Sequence, residues 1–179
     1  MIEHDNLYAK PQKIVPDFAF DESVARVFPD MIRRSVPGYT MIIPMIEIIT
    51  AEYAQKNTTA YDLGCSLGAS TLAMRHGLKN ITGSKVVSID NSPAMIERCN
   101  HYIELDNATV PVELHCADIC DFDIKNASVV TLNFTLQFIP KEKRAILLKK
   151  IFDGLNPGGC LILSEKIDFK KLYNLKKIQ

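Results

Sequence analysis

The run Asp62-Leu63-Gly64-Cys65-Ser66-Leu67-Gly68 leaves little freedom to the fold around it. It follows a strand-like stretch, Thr59-Ala60-Tyr61, and precedes a helix-like stretch from Ala69 to His76. A strand that ends in an acid, a tight glycine loop and a helix together form a nucleotide-binding turn. Gly64 lets a ligand approach the backbone where any Cβ would block it. The first N–H groups of the following helix have no intrahelical partners and face that ligand.

The rest of the chain repeats the alternation. Asp21 to Arg34 is predicted as a helix with Val24, Val27, Phe28 and Met31 on one face and Asp21 as N-cap. A second helix, from about Thr40 to Gln55, carries Ile42, Ile46, Ile49 and Tyr53 at helical spacing. Strands are predicted at 59–63, 85–90, 110–116, 128–133 and 160–164. Helices are predicted at 67–76, from Ser92-Pro93 to about Leu105, and from Pro140-Lys141 to Gly154, with Pro157-Gly158-Gly159 as a turn. Strands alternating with helices imply a mostly parallel sheet covered on both faces. Residues 1–58 read as a lead-in plus two helices over a ligand crevice, 59–167 as a ligand-binding core, and 168–179 as a lysine-rich tail.

Composition narrows the function classes. With 21 basic and 21 acidic residues, the 179-residue chain has no net charge to hold nucleic acid or an anionic membrane. Its most apolar stretch, Met41 to Ile49, is cut by Pro44 and Glu47 and is too short to span a bilayer. The N-terminus lacks the pattern of a signal peptide, and five cysteines without framework spacing fit a reduced, cytoplasmic protein.

The polar residues at strand ends fall where such a sheet places its ligand crevice. A carboxylate two residues before Gly64 repels a pyrophosphate and welcomes a cation. The amino group of a sulfonium amino acid is such a cation, which points to S-adenosylmethionine rather than a dinucleotide. Asp90 ends the second strand at a spacing suited to the hydroxyls of a ribose. Asp118 and Ile119 follow the third strand, where an acid can accept the adenine amino group and an apolar side chain can pack on the ring. Asn133 ends the fourth strand and faces the ligand's reactive end. Tyr39, in a Pro-Gly loop between the first two helices, is placed to cap the crevice or to be a half-buried loop tyrosine.

Two rivals arise from the same text. Gly64-Cys65-Ser66-Leu67-Gly68 matches the G-x-S-x-G nucleophile elbow, yet His76, His101 and His115 stand in or near regular elements and offer no evident base. His115, Cys116 and Cys120 lack a second ligand pair at zinc spacing, so no metal is expected. Arg33 and Arg34 read as a solvated helix face.

The sequence resembles the class I S-adenosylmethionine-dependent methyltransferases and, within them, the carboxy-S-adenosylmethionine synthases. The resemblance rests on Val27-Phe28-Pro29-Asp30-Met31-Ile32, on Arg34-Ser35-Val36-Pro37-Gly38-Tyr39, and on the glycine loop from Tyr61 to Ala69. Further matching text is Ile89-Asp90-Asn91-Ser92-Pro93-Ala94-Met95, Leu132-Asn133-Phe134-Thr135-Leu136-Gln137-Phe138 and Leu155-Asn156-Pro157-Gly158-Gly159. Ser66 stands where general methyltransferases usually have glycine.

The resemblance implies an α/β Rossmann-like fold lacking the usual C-terminal strands. It also implies cofactor contacts at Tyr39, Gly64, Cys65, Ser66, Asp90, Asn91, Asp118, Ile119 and Asn133. The implied reaction converts S-adenosylmethionine and prephenate to carboxy-S-adenosylmethionine and phenylpyruvate, for wobble-uridine modification of tRNA. The implied assembly is a homodimer that does not itself bind nucleic acid. The family's arginine for the transferred carboxylate has no counterpart, since no arginine follows Arg144. An ordinary methyltransferase and a non-catalytic S-adenosylmethionine-binding protein stand as alternatives.

Overall fold

A computed structural model describes residues 22–166. The N-cap expected at Asp21, the lead-in and the tail from 168 onward lie outside the described residues. Two helices come first, α1 (Glu22–Ser35) and α2 (Tyr39–Tyr53). The sheet elements follow in strict alternation: β1 (Thr59–Leu63), α3 (Ala69–Gly77), β2 (Lys85–Asp90), α4 (Pro93–Leu105) and β3 (Val112–Cys116). The chain continues through β4 (Ala127–Asn133), a 3-10 turn at Leu136–Phe138, α5 (Lys141–Gly154) and β5 (Leu155–Ser164).

All five described strands are parallel, in the order β3-β2-β1-β4-β5. The order reverses between β1 and β4. At that point the connections leave in opposite directions and open a crevice at the carboxyl ends of the strands.

Period-two alternation sends each strand's side chains to two cores. Ala60, Val86 and Val129 meet Ile46 of α2 and Ala73, Met74 and Leu78 of α3 on one face. Tyr61, Leu63, Val87, Ile89, Val130 and Leu132 meet Leu147 and Ile151 of α5 on the other. A third, smaller cluster seats α1 on α4 and the glycine loop, through Val24, Ala25, Leu67 and Met95.

Three sequence expectations change. Tyr53, expected on the buried face of α2, is 46% exposed. The third strand starts two residues later than 110. Pro157-Gly158-Gly159 does not precede β5 but lies inside it. The pairing steps from Ala127↔Leu155 to Val129↔Cys160, so the strand bulges there and keeps pairing on both sides. Gly158 takes φ 81 within that bulge, and a Cβ on Gly159 would crowd the Ser128 carbonyl at 2.9 Å.

Candidate functional site: the crevice at the end of β1 and β4

The glycine loop is shaped by close approach. Gly64 has φ 81, and a Cβ there would overlap the Thr135 side chain, with Oγ1 at 2.5 Å. Gly68 has φ 88, and a Cβ there would meet Cys99 Sγ at 2.6 Å. Both positions therefore require glycine for conformation and for space. Ser66 (φ 49) and Phe134 (φ 60) hold left-handed backbone without being glycine. These two strained residues sit beyond β1 and at the end of β4, on either side of the crevice.

The loop's N–H groups are used within the protein. Gly64 and Cys65 both donate to the Ile89 carbonyl, at 2.8 and 3.0 Å. Ser66 donates to Asp90 Oδ2 at 2.9 Å. Asp90 Oδ1 accepts the Ser92 N–H at 2.9 Å, so one carboxylate joins the loop, the end of β2 and the start of α4. Burial raises its pKa, and the two N–H bonds pull it back down. Each oxygen keeps lone-pair capacity for a further donor.

Asp62 lies at the centre of the site and is fully buried. Its Oδ2 accepts the Thr71 hydroxyl at 2.7 Å, while Oδ1 has no hydrogen-bond partner. Burial first, and the Asp90 charge further, raise its pKa to about 7 against the Thr71 bond. Asn133 repeats the pattern across the crevice. Its Nδ2 donates to Ser70 Oγ at 3.1 Å, and its buried Oδ1 has no partner. An orphaned buried acceptor is costly unless a ligand completes it. Two acceptor oxygens of this kind, one of them a carboxylate, suit an ammonium group.

Tyr39 reaches this place from the first residue of α2. Its ring centroid lies 6.5 Å from that of Phe134. Burial, and then the charge of Asp62, push its hydroxyl pKa up to about 12, with Arg33 acting in the opposite sense. Tyr39 is thus partly buried beside Phe134. Arg33, expected as part of a solvated face, is exposed.

The remaining expected residues divide. Asn91 and Asp118 are exposed at the ends of β2 and β3, and Asp118 Oδ1 accepts the Cys120 N–H at 2.8 Å. Ile119 is 5% exposed and belongs to the core beneath the sheet. Cys65 is buried against Cys99, whose thiol first, and burial second, raise its pKa. Its contribution to the crevice is backbone. Thr71, Ser70 and Thr135 were not singled out in the sequence. The available signal was a pair of hydroxyls in the first turn after the glycine loop.

Among the described residues no histidine partners Ser66. Ser66 Oγ lies 3.5 Å from Met95 Sδ. His76 is held by Asp106 at 2.9 Å, and His115 packs on Phe122 with centroids 4.9 Å apart. Among the described residues no group of three or more His, Cys, Asp or Glu gathers to hold a metal, and no helix is long and apolar enough to cross a membrane. A surface hollow of about 690 Å³ lies between α5 and the Asp123–Lys125 turn, where Lys125 and Lys149 are paired with Asp123 and Asp153.

Comparison with known proteins identifies the family. A methyltransferase-domain family model matches residues 60–159. The chain is 61% identical over 166 residues to a carboxy-S-adenosyl-L-methionine synthase of Marinobacter nauticus, covering 93% of this chain and 66% of that protein. It is 53% identical over 174 residues to the synthase of Psychromonas ingrahamii, covering 97% and 72%. The chain therefore spans about two thirds of the length of these relatives.

Among solved structures, a putative S-adenosyl-L-methionine-dependent methyltransferase of Methanococcus maripaludis aligns with TM-score 0.61 at 18% identity, covering 93% of this chain and 73% of that one. A magnesium protoporphyrin IX methyltransferase of Synechocystis with bound SAH aligns with TM-score 0.59 at 19% identity, covering 84% and 65%. These two share the fold. With its glycine loop, its strand-end acids and its identity to curated relatives over nearly its whole length, the chain belongs to the carboxy-S-adenosyl-L-methionine synthase family.

Proposed function

We propose that the crevice binds S-adenosylmethionine and that the protein carries out carboxy-S-adenosylmethionine synthesis with prephenate as carboxyl source. The identity to curated synthases carries this reading, and the orphaned oxygens of Asp62 and Asn133 support it at the site. Bound S-adenosylmethionine would supply a methyl group, acidified by its sulfonium, that exchanges a proton for the carboxyl carbon released by prephenate, and that proton would leave as water with the hydroxyl group that prephenate loses in becoming phenylpyruvate.

The chain's own residues bind and orient. Asp90 accepts the ribose hydroxyls while it stays fixed by Ser66 and Ser92. Asn91 and Asp118 line the adenine side, with Ile119 packed in the core behind them, and Gly64, Cys65 and Ser66 shape the floor beneath the amino-acid part. Asn133 and Asp62 hold the cationic end. Tyr39 and Phe134 cover the reacting end and exclude water, which strengthens every charge interaction beneath them. With a hydroxyl pKa of about 12, Tyr39 stays protonated at neutral pH and acts there as a hydrogen-bond donor.

Among the described residues Arg144 is committed to the Ile139 and Gln137 carbonyls, at 2.8 and 3.0 Å, and does not serve the transferred carboxylate. A cytoplasmic homodimer that supplies the carboxymethyl donor for tRNA wobble-uridine modification, without itself contacting RNA, completes the proposal. The zero net charge supports the absence of RNA contact.

Incubation with S-adenosylmethionine and prephenate tests the reaction. The expected products are phenylpyruvate and a nucleoside heavier than the donor by one carbon dioxide, both visible by mass spectrometry. Appearance of S-adenosylhomocysteine alone would assign an ordinary methyltransferase instead.

A further inference from the structure

We propose that Ser70 and Thr71 are the positioning residues of an α-ammonium site. Each fixes one polar atom of a strand-end acceptor, so that the free oxygens of Asn133 and Asp62 are left for the cationic end of the ligand. This rests on the cofactor reading above and goes beyond it by naming what orients the site and how protons respond.

The two hydroxyls are consecutive residues in the first turn of α3, directly after the glycine loop. Ser70 takes the Asn133 amide and Thr71 takes the Asp62 carboxylate, from neighbouring parallel strands. Thr71 Oγ1 also bonds Ser88 Oγ of β2 at 2.8 Å. A hydroxyl has one proton to donate. Since Thr71 donates to Asp62, Ser88 must donate to Thr71, and the three groups form a directed chain from β2 through α3 to β1. Asp62 Oδ2 is thereby committed as an acceptor. Oδ1 of the same carboxylate is buried and has no partner.

No described cation pairs with Asp62. The ionisable groups around it are Asp90 at the end of β2, Tyr39 at the start of α2 and the Cys65 thiol in the loop. None supplies positive charge, and β4 offers only the neutral Thr131 and Asn133 on this side. The ammonium is the missing counter-charge. When it docks on Oδ1 the carboxylic proton leaves to solvent, and the acid becomes the carboxylate that the ligand needs.

Two ligands separate this site from the rest of the crevice. S-adenosylmethionine carries the ammonium, and 5′-methylthioadenosine shares its adenosine but has no amino acid. Titration of the 179-residue chain with each, across pH, is expected to diverge on the acid side. Affinity for S-adenosylmethionine, relative to 5′-methylthioadenosine, should fall about tenfold per pH unit below the Asp62 pKa of about 7.

Thr71→Val removes the bond that lowers that pKa, so the acid limb should move to higher pH, and Thr71→Ser should restore it. Ser70→Ala should weaken S-adenosylmethionine and spare 5′-methylthioadenosine. Parallel pH profiles for the two ligands, or a Thr71→Val limb that does not move, would overturn the proposal. Binding of neither ligand by the unsubstituted chain would overturn the cofactor reading and this proposal together.

Discussion

Without a ligand, burial keeps a proton on Asp62 up to a pH of about 7, whereas the unfolded chain releases it near 3.8. Between those values the folded state binds the extra proton. This contribution to stability is therefore complete in acid and is lost as pH rises through about 7. Asp62→Asn removes the buried charge, so the free protein should melt higher at alkaline pH, by on the order of a few kcal/mol in scanning calorimetry. The same variant should lose the thermal upshift that S-adenosylmethionine gives the parent.

Burial raises the pKa of Asp90 as well, but two backbone N–H groups bonded to its carboxylate oppose the shift. Asp90→Ala should weaken S-adenosylmethionine by at least about 2 kcal/mol in calorimetric titration, through two lost charge-assisted bonds. Unchanged affinity would make Asp90 only a strand-end cap. Both acids were legible in the sequence because each stands at the end of its own strand. Ser70 and Thr71 were not, since their partners are set by which strands lie side by side. Cys65 was legible as part of the loop, but the direction of its side chain was not, because Cys99 draws it inward from α4.

At the scale of elements, α4 shows why local text sufficed for most of the fold. Ser92 caps it by accepting the Met95 N–H at 3.2 Å, and Pro93 follows at its start. Both signals are local and both were readable. Ser92→Ala should cost about 1 kcal/mol in urea unfolding, with the slope unchanged. β5 shows the limit. Asn156-Pro157-Gly158-Gly159 carries turn chemistry, and the backbone does bulge there. Pairing nevertheless continues because β4 supplies partners on both sides of the bulge, and a partner strand leaves no mark in the local text. The 3-10 turn at Leu136–Phe138 is too short to show a period.

Across the whole molecule, equal numbers of acids and bases leave little repulsion between copies. Met41, Met45 and Ile48 form an exposed apolar stripe on the outer face of α2, at 71%, 51% and 62% exposure. Concentration-dependent association should appear in sedimentation velocity, and Ile48→Lys should reduce it. The same experiment on Phe152→Lys, at the exposed side of α5, tells whether α2 is the face involved.

The Asp90 carboxylate has a consequence on the timescale of hydrogen exchange. One side chain protects the amides of Ser66 and Ser92, which belong to different segments and are distant in sequence. Their deuterium uptake should therefore be correlated. A single local opening at Asp90 exposes both amides together, and ribose binding, by slowing that opening, should lower both rates by the same factor.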